Sequence, residues 1–367
     1  MKIYMAPMEG ITGYLYRNTY NRYFKGVDKY FTPFIAPAKG RPLRTRELQD
    51  ILPENNKGLA VVPQILTNDV DDFMKTAKFL KEYGYTEVNI NLGCPSGTVV
   101  SKGKGAGLLY DIDRLDAFLY GVYEADIMKV SIKTRIGKLF PEEFEDIINV
   151  YMKYPISELI IHPRVQTDYY RNTPNMETFK TGVCQYLSER QTKMCCDSDR
   201  FYTESSNNKL GIVHDEREIC YNGDIFDLDA YNHLKNKYTF ISKVMLGRGL
   251  IGNPFLPEMM KSSKLGTEDR ENANRLKGFH NELLSAYRNS LGDNNTLFKM
   301  KELWLYMGQL FDGNLDAGKY LKKIKKSKNM EEYKIAVNGL METSRLRVDN
   351  KKSMNYNLHI DGDDEDE

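Results

Sequence analysis

In the first 250 residues of this chain, polar and titratable residues recur where short apolar stretches end. They are Pro7 and Met8 after Ala6, Gln64, Asn91 with Cys94, Lys133 with Arg135, His162 with Arg164, Asn222-Gly223-Asp224, and Gly247-Arg248-Gly249. Cys94 stands out. It lies in NINLGCPSGTVVSKGKGAGLL (89–109), where an alternating apolar run (Val88, Ile90, Leu92) stops and the backbone must turn. A thiol there could be a small buried residue, a metal ligand, a nucleophile or a proton donor. The five cysteines (94, 184, 195, 196, 220) are odd in number, and neither CxxC nor HxxxH spacing occurs. Reduced thiols and no metal site are therefore expected, Cys195-Cys196 included. A nucleophile needs a paired base, and none accompanies Cys94 in the sequence. Lys133 follows alternating apolar residues, which points it into the same space. There it could stabilise an anion or pair with a neighbouring carboxylate. His162 could be a core histidine or a ligand contact, and Arg164 and Gln166 beside it favour the site. Glycines in YNGDIF (221–226) and LGRGLIGNPF (246–255) suit backbone cradling of a phosphate-bearing cofactor, against the plainer reading of tight turns.

These residues need a scaffold that gathers strand ends. Apolar, β-rich runs occur at 2–6, 31–36, 59–65, 87–92, 129–134, 158–163, 218–223 and 243–248. Helical patterns lie between them, for example at 68–84, 111–125 and 141–154. The alternation fits a doubly wound sheet or a (β/α)8 TIM barrel. Eight strands, and no GxGxxG after the first, favour the α/β barrel, whose chemistry sits at the C-terminal strand ends. The expected organisation is a barrel over 1–254 interrupted by a polar insertion at about 189–215, an all-helical domain over 255–347, and an acidic, disordered tail over 348–367.

Of the 367 residues, 41% are hydrophobic and 28% charged, an ordinary balance for a globular protein. No apolar run reaches membrane-span length and the N-terminus lacks a signal pattern, so a cytoplasmic location is expected; a monomer is expected as well. The net charge of +1 conceals six acids in the tail DGDDEDE, leaving +7 on residues 1–360. Six lysines crowd into KYLKKIKKSK (319–328), among them Lys322, Lys323, Lys325 and Lys326. Such a run is either a solvated helix face or a surface for a phosphate backbone.

APMEGIT (6–12), the GCP loop ending GAGLL, SIKTRIG (131–137), IIHPR (160–164), YNGDI and LGRGLIGNPF occur in that order. Together they resemble the tRNA-dihydrouridine synthases, over about residues 1–255. The resemblance implies an FMN-dependent oxidoreductase that reduces tRNA uridines to 5,6-dihydrouridine, with NADPH or NADH as reductant. Pro7, Met8 and Gln64 would then line the isoalloxazine, Lys133 would meet its pyrimidine edge, and His162 would lie beside it. Asn222, Gly223, Asp224, Gly247 and Arg248 would hold the phosphate end. Asn91, Arg135 and Arg164 would serve the substrate uracil, and Cys94 would be the proton donor on a loop that its glycines leave free to close. The helical domain and its lysine run would bind tRNA. Two features depart from the family pattern: Pro163 in HPR and the long segment after Glu189. The rivals are a flavin barrel reductase acting on a small metabolite, and a tRNA-binding protein without chemistry.

Overall fold

The computed structural model describes residues 1–37, 43–188, 218–262, 269–311 and 315–348. Its strands are β1 (Lys2–Met5), β2 (Lys29–Phe31), β3 (Val61–Val62), β4 (Gln64–Ile65), β5 (Glu87–Leu92), β6 (Lys129–Gly137), β7 (Leu159–Val165), β8 (Ile219–Tyr221) and β9 (Lys243–Leu246). They form one sheet in the order β3-β2-β1-β9-β8-β7-β6-β5-β4, and every strand pairing is parallel. The two ends of that order, β3 and β4, flank a single residue, Pro63. Proline has no N–H for a ladder, so one stave is split there. Rejoined, the nine segments are the eight staves of a closed α/β barrel, as expected from the sequence.

Two strand boundaries differ from expectation. The second stave pairs over Lys29–Phe31, not 31–36, because Pro33 stops the ladder; Ile35 returns only as an isolated bridge to Ile65. The third, expected unbroken over 59–65, is interrupted at Pro63. The outer helices form where apolar periodicity meets a cap. Asp69 accepts the Asp72 N–H ahead of Val70–Glu82, whose buried face is Phe73, Thr76, Ala77 and Leu80. Asp111 does the same for Arg114 ahead of Ile112–Glu124.

Strand pleating decides what fills the barrel. Residues of one parity point inward, and Tyr4, Ala6, Phe31, Val62, Ile160, Cys220 and Met245 form a buried cluster of their own. Continued two residues along each strand, that parity brings Gln64, Lys133, His162, Asn222 and Gly247 to the C-terminal mouth. At the opposite end, Glu158 is gripped by Lys243 (2.9 Å), Lys29 (3.3 Å) and the Tyr4 hydroxyl (2.9 Å), closing the floor with an ionic cluster.

Beyond β9 the chain is helical: Arg248–Gly252, Leu256–Ser262, Asp269–Met307, Leu315–Lys326 and Met330–Thr343. The long segment breaks at Gly292, whose φ of 74° suits glycine. One antiparallel bridge, Phe311 to Leu346, is the exception to the strand-free expectation for this region. An aromatic seam joins the region to the barrel. Phe279 meets Phe24 edge-on at 5.2 Å and Tyr16 at 5.7 Å, and Phe24 meets Phe255 at 4.9 Å. Lys299 donates to the Gly10 carbonyl, which sets the long helix beside the loop after β1. The expected insertion at 189–215, with Cys195 and Cys196, lies outside the described residues, as does the acidic tail after Val348. Among the described residues no helix is long and apolar enough to cross a membrane.

Candidate functional site

A column of hydrogen bonds climbs the inside of the barrel from floor to mouth. Ser131 Oγ donates to Glu87 at 2.9 Å, and Asn89 Nδ2 donates to Ser131 Oγ at 3.0 Å. Gln64 Nε2 donates to Asn89 Oδ1 at 2.8 Å, and Asn91 Nδ2 to Gln64 Oε1 at 2.8 Å. Asn91 Oδ1 then accepts the backbone N–H groups of Gly93 (3.0 Å) and Cys94 (2.9 Å). Both ends of the column are fixed chemically, since a carboxylate only accepts and a backbone N–H only donates. Every amide between them is therefore oriented without ambiguity. The expected substrate contact Asn91 thus holds the turn that carries Cys94.

Cys94 is half-buried at the mouth. Burial pushes its thiol upward, against the lowering pull of its hydrogen bond with the Ser96 backbone and of Arg135 and Lys133. The neutral, protonated thiol is the resting form. The neighbouring glycines serve close approach more than freedom of movement. A Cβ on Gly105 (φ 56°) would stand 2.9 Å from the Cys94 carbonyl oxygen, and one on Gly107 would stand 2.6 Å from the Val100 oxygen. At those two positions glycine is required by close approach, whereas a Cβ at Gly97 would meet nothing within 4 Å.

Lys133 pairs with Asn91 across β5 and β6 and faces the same space. Among the described residues no carboxylate acts on it. Burial, with Arg135 adding repulsion, lowers its pKa to about 8. Among the described residues the alternative of an ion pair with a neighbouring carboxylate finds no partner. Arg135 is fully buried and spends its guanidinium on carbonyls: Gly93 (3.0 Å), Val165 (2.8 Å) and Tyr169 (2.9 Å). It ties the cysteine turn to the loop after β7. Tyr169 is held there at a φ of 49°, an uncommon conformation for a non-glycine residue. The next ring, Tyr170, stacks on His162 at 6.0 Å and lies beneath Arg248 at 4.4 Å.

On the far side of the mouth, Asp224 bridges two arginines. Arg164 grips it with both terminal nitrogens, and Arg248 reaches it at 2.7 Å. Arg164 also donates to His162 Nε2 at 3.0 Å. Because guanidinium only donates, Nε2 accepts and the imidazole is neutral. Burial first, then Arg135 and Lys133, holds its pKa well below the ordinary value. Asn222 donates to the Met245 carbonyl at 2.8 Å. At Gly223 a Cβ would collide with the Tyr221 hydroxyl at 2.0 Å, whereas at Gly247 it would meet only Met8 Sδ (3.5 Å) and Ala6 Cβ (3.6 Å). Pro7 and Met8 lie half-buried above β1, with the Met8 N–H fixed on Thr12 Oγ1 at 2.7 Å.

The structure therefore gathers Met8, Gln64, Asn91, Cys94, Lys133, Arg135, His162, Arg164, Asn222, Gly223, Asp224, Gly247 and Arg248 at one barrel end. Lys322, Lys323, Lys325 and Lys326 are all exposed on the helix Leu315–Lys326, outside the barrel. The sequence reading missed Asn89, Ser131 and Tyr170. The first two carry a signal, since they share inward parity with Asn91 and Lys133. Among the described residues no group of three or more His, Cys, Asp or Glu could hold a metal ion.

The family model for dihydrouridine synthases matches residues 4–188, from β1 through the helix Met176–Ser188. The chain belongs to the dihydrouridine synthase family. A probable tRNA-dihydrouridine synthase of Staphylococcus aureus (strain COL) is 26% identical over 252 residues, covering 68% of this chain and 69% of that protein. A probable tRNA-dihydrouridine synthase 2 of Bacillus subtilis (strain 168) is 25% identical over the same shares. Among solved structures, morphinone reductase superposes with a TM-score of 0.47 at 13% identity, over 73% of this chain and 87% of its own. The fold assignment rests on the closed strand order, not on that likeness. As a dihydrouridine synthase the chain is an enzyme, and its matched span contains Cys94 and Lys133 but ends before Asp224 and Arg248.

Proposed function

We propose that this dihydrouridine synthase reduces uridines of tRNA to 5,6-dihydrouridine with FMN as cofactor and NADPH or NADH as reductant. The observation that carries the reading is the pairing, in one mouth, of a protonated thiol with a half-buried ammonium that no described carboxylate neutralises. Such an ammonium fits an electron-rich ligand edge, and the pyrimidine end of a flavin is one. The space beside Gly247, where an added Cβ would meet only Met8 and Ala6 at 3.5 Å or more, fits the same ligand.

When bound, reduced FMN supplies the hydride that saturates uracil C6. Cys94 supplies the proton. Hydride addition builds enolate-like charge toward C5 and O4, and a neutral thiol can quench it at C5. Asn91 holds the Cys94 turn, and Arg135 fixes that turn against the loop after β7. Pro7, Met8, Gln64, Lys133 and His162 are assigned to the ring system of the cofactor. Asn222, Gly223, Gly247 and Arg248 are assigned to its phosphate end, with Asp224 holding Arg248 and Arg164 in place. The second free hydrogen of Asn91 Nδ2 is available to the substrate. The lysines of Leu315–Lys326 are assigned to tRNA phosphates, because a buried base must be turned out of folded RNA while the RNA body is held.

The test is direct. Purified protein with FMN, NADPH and tRNA lacking the modification should yield uridines heavier by two hydrogens in mass analysis. Oxidation of NADPH without any change in the tRNA would overturn the assignment.

A further inference from the structure

Exposed aromatic rings crowd the rim of the barrel mouth on the side of the cysteine turn. Tyr110 is 60% exposed and Phe140 63%, and Leu139, next to Phe140 in the chain, is exposed as well. Neither ring sits on a slack loop. Tyr110 ends the segment Gly105–Tyr110, which is packed against Cys94 through Gly105 and through the Ala106 N–H on the Cys94 carbonyl at 3.1 Å. The loop after β6 is organised by one carboxylate. Glu143 accepts the backbone N–H groups of Lys138 (2.6 Å), Leu139 (3.1 Å) and Phe140 (3.1 Å). The Lys138 carbonyl accepts the Thr167 N–H at 3.2 Å, joining this loop to the one that bears Tyr169 and Tyr170. Lys138 Nζ lies 4.5 Å over the Tyr110 ring, so two separate loops are tied by a cation on an aromatic face. Lys102 and Lys104 add positive charge on the adjoining turn.

A solvent-facing rim gains nothing from holding large rings in water in a fixed geometry. Rigid ring faces interleaved with cations are what unpaired nucleotides recognise, since every base has a π-face and every linkage a negative charge. We propose that Tyr110, Lys138 and Phe140 form a stacking ledge for unpaired bases of the substrate RNA, next to the base presented to Cys94. The ledge rests on the reading of the chain as an RNA-modifying enzyme and names how that RNA is received. The occupant is single-stranded nucleic acid, whose phosphates complement Lys138 over the Tyr110 ring and Lys102 and Lys104 on the adjoining turn.

The experiment compares the wild-type protein with Tyr110→Ala/Phe140→Ala and with Tyr110→Phe. The probes are a labelled single-stranded RNA oligonucleotide of mixed sequence, an RNA duplex, and tRNA lacking dihydrouridine. The double variant should lose roughly tenfold in oligonucleotide affinity and raise the KM for tRNA by a similar factor. Its duplex affinity, its flavin reduction by NADPH, its kcat at saturating tRNA and its melting temperature should be unchanged. Tyr110→Phe keeps the ring and should behave as wild type. Equal oligonucleotide affinity in the double variant overturns the ledge, as does an equal loss on duplex. Loss of self-association in the double variant, with RNA affinity intact, would assign the rim to a second copy of the chain and overturn it too. The two readings fail separately. Wild-type protein that makes dihydrouridine while the double variant keeps its KM refutes only the ledge. Ledge-dependent oligonucleotide binding without dihydrouridine formation refutes only the proposed reaction.

Discussion

Gln64 Nε2 donates to Asn89 Oδ1 at 2.8 Å, and that bond cannot run the other way. Asn89 must keep its Nδ2 toward Ser131, whose hydroxyl proton is committed to Glu87, and Gln64 must keep its Oε1 toward Asn91. Asn89 touches no reacting group, yet it anchors the Gln64 amide on which Asn91 rests. Asn89→Ala should leave unsatisfied polar groups at Gln64 and Ser131 and destabilise the fold by about 1–3 kcal/mol. It should also lower kcat more than it raises the KM for tRNA, because the Cys94 turn loses its register. Steady-state kinetics at fixed flavin occupancy, with thermal melting alongside, would check this. Unchanged kcat would remove the positioning role.

Cys94→Ala should retain flavin binding and RNA binding while dihydrouridine formation falls to background. A general acid works in its protonated form, so activity should be flat below the thiol pKa and fall as pH rises through it. Burial raises that pKa above the ordinary thiol value, so the alkaline limb should lie higher than a free thiol would put it. A rate profile across pH 6 to 10 under saturating tRNA would show the limb in the wild-type protein. Full activity in Cys94→Ala would refute the assignment.

Lys133 carries a stability cost that its ligand is expected to offset. Its pKa falls from the ordinary 10.5 to about 8 in the fold, so below pH 8 both folded and unfolded chains hold the proton and the penalty is complete. The penalty fades as pH rises from about 8 to 10.5, and the ligand-free protein should grow more stable across that window. Lys133→Met should therefore stabilise the flavin-free protein at pH 7, by an amount on the order of 2 kcal/mol. The same variant should bind FMN more weakly, and wild-type affinity should decline as pH rises through about 8. Calorimetric melting and flavin fluorescence titration measure the two effects independently.

Charge reversal at Lys322, Lys323, Lys325 and Lys326 should weaken tRNA binding without changing flavin content, because all four side chains are exposed on a helix of the C-terminal region, outside the barrel. The slope of log affinity against log salt should flatten by a little less than one for each phosphate that is no longer neutralised. Binding isotherms at several salt concentrations would show it. An unaltered slope would reduce this run to a solvated helix face.

Much of the site was legible because a parallel barrel has simple rules. Strand ends follow from alternating apolar residues bounded by Pro and Gly, and inward parity then selects Gln64, Asn91, Lys133 and His162 together. The misses have physical causes. Pro33 and Pro63 sit inside apolar runs, so composition alone extends or joins strands that backbone N–H counting would cut. Tyr170 gains its place from a partner far along the chain, since Arg135 fixes the neighbouring Tyr169 carbonyl at a distance of 34 residues in sequence. Gly105 and Gly107 look flexible in one dimension, and only the fold shows what stands against their missing side chains.

Phe279 is wedged between Tyr16 and Phe24, and Arg275 bonds the Tyr23 carbonyl at 2.9 Å and Glu258 at 2.7 Å. Among the described residues these rings and the Arg275 bond to the Tyr23 carbonyl pin the long helix against the first helix of the barrel, Tyr14–Tyr23. On the proposed reaction, parts held in that contact would work as a single jig. The distance from gripped backbone to reacting base is set by the protein, and the bending needed to match it falls to the RNA.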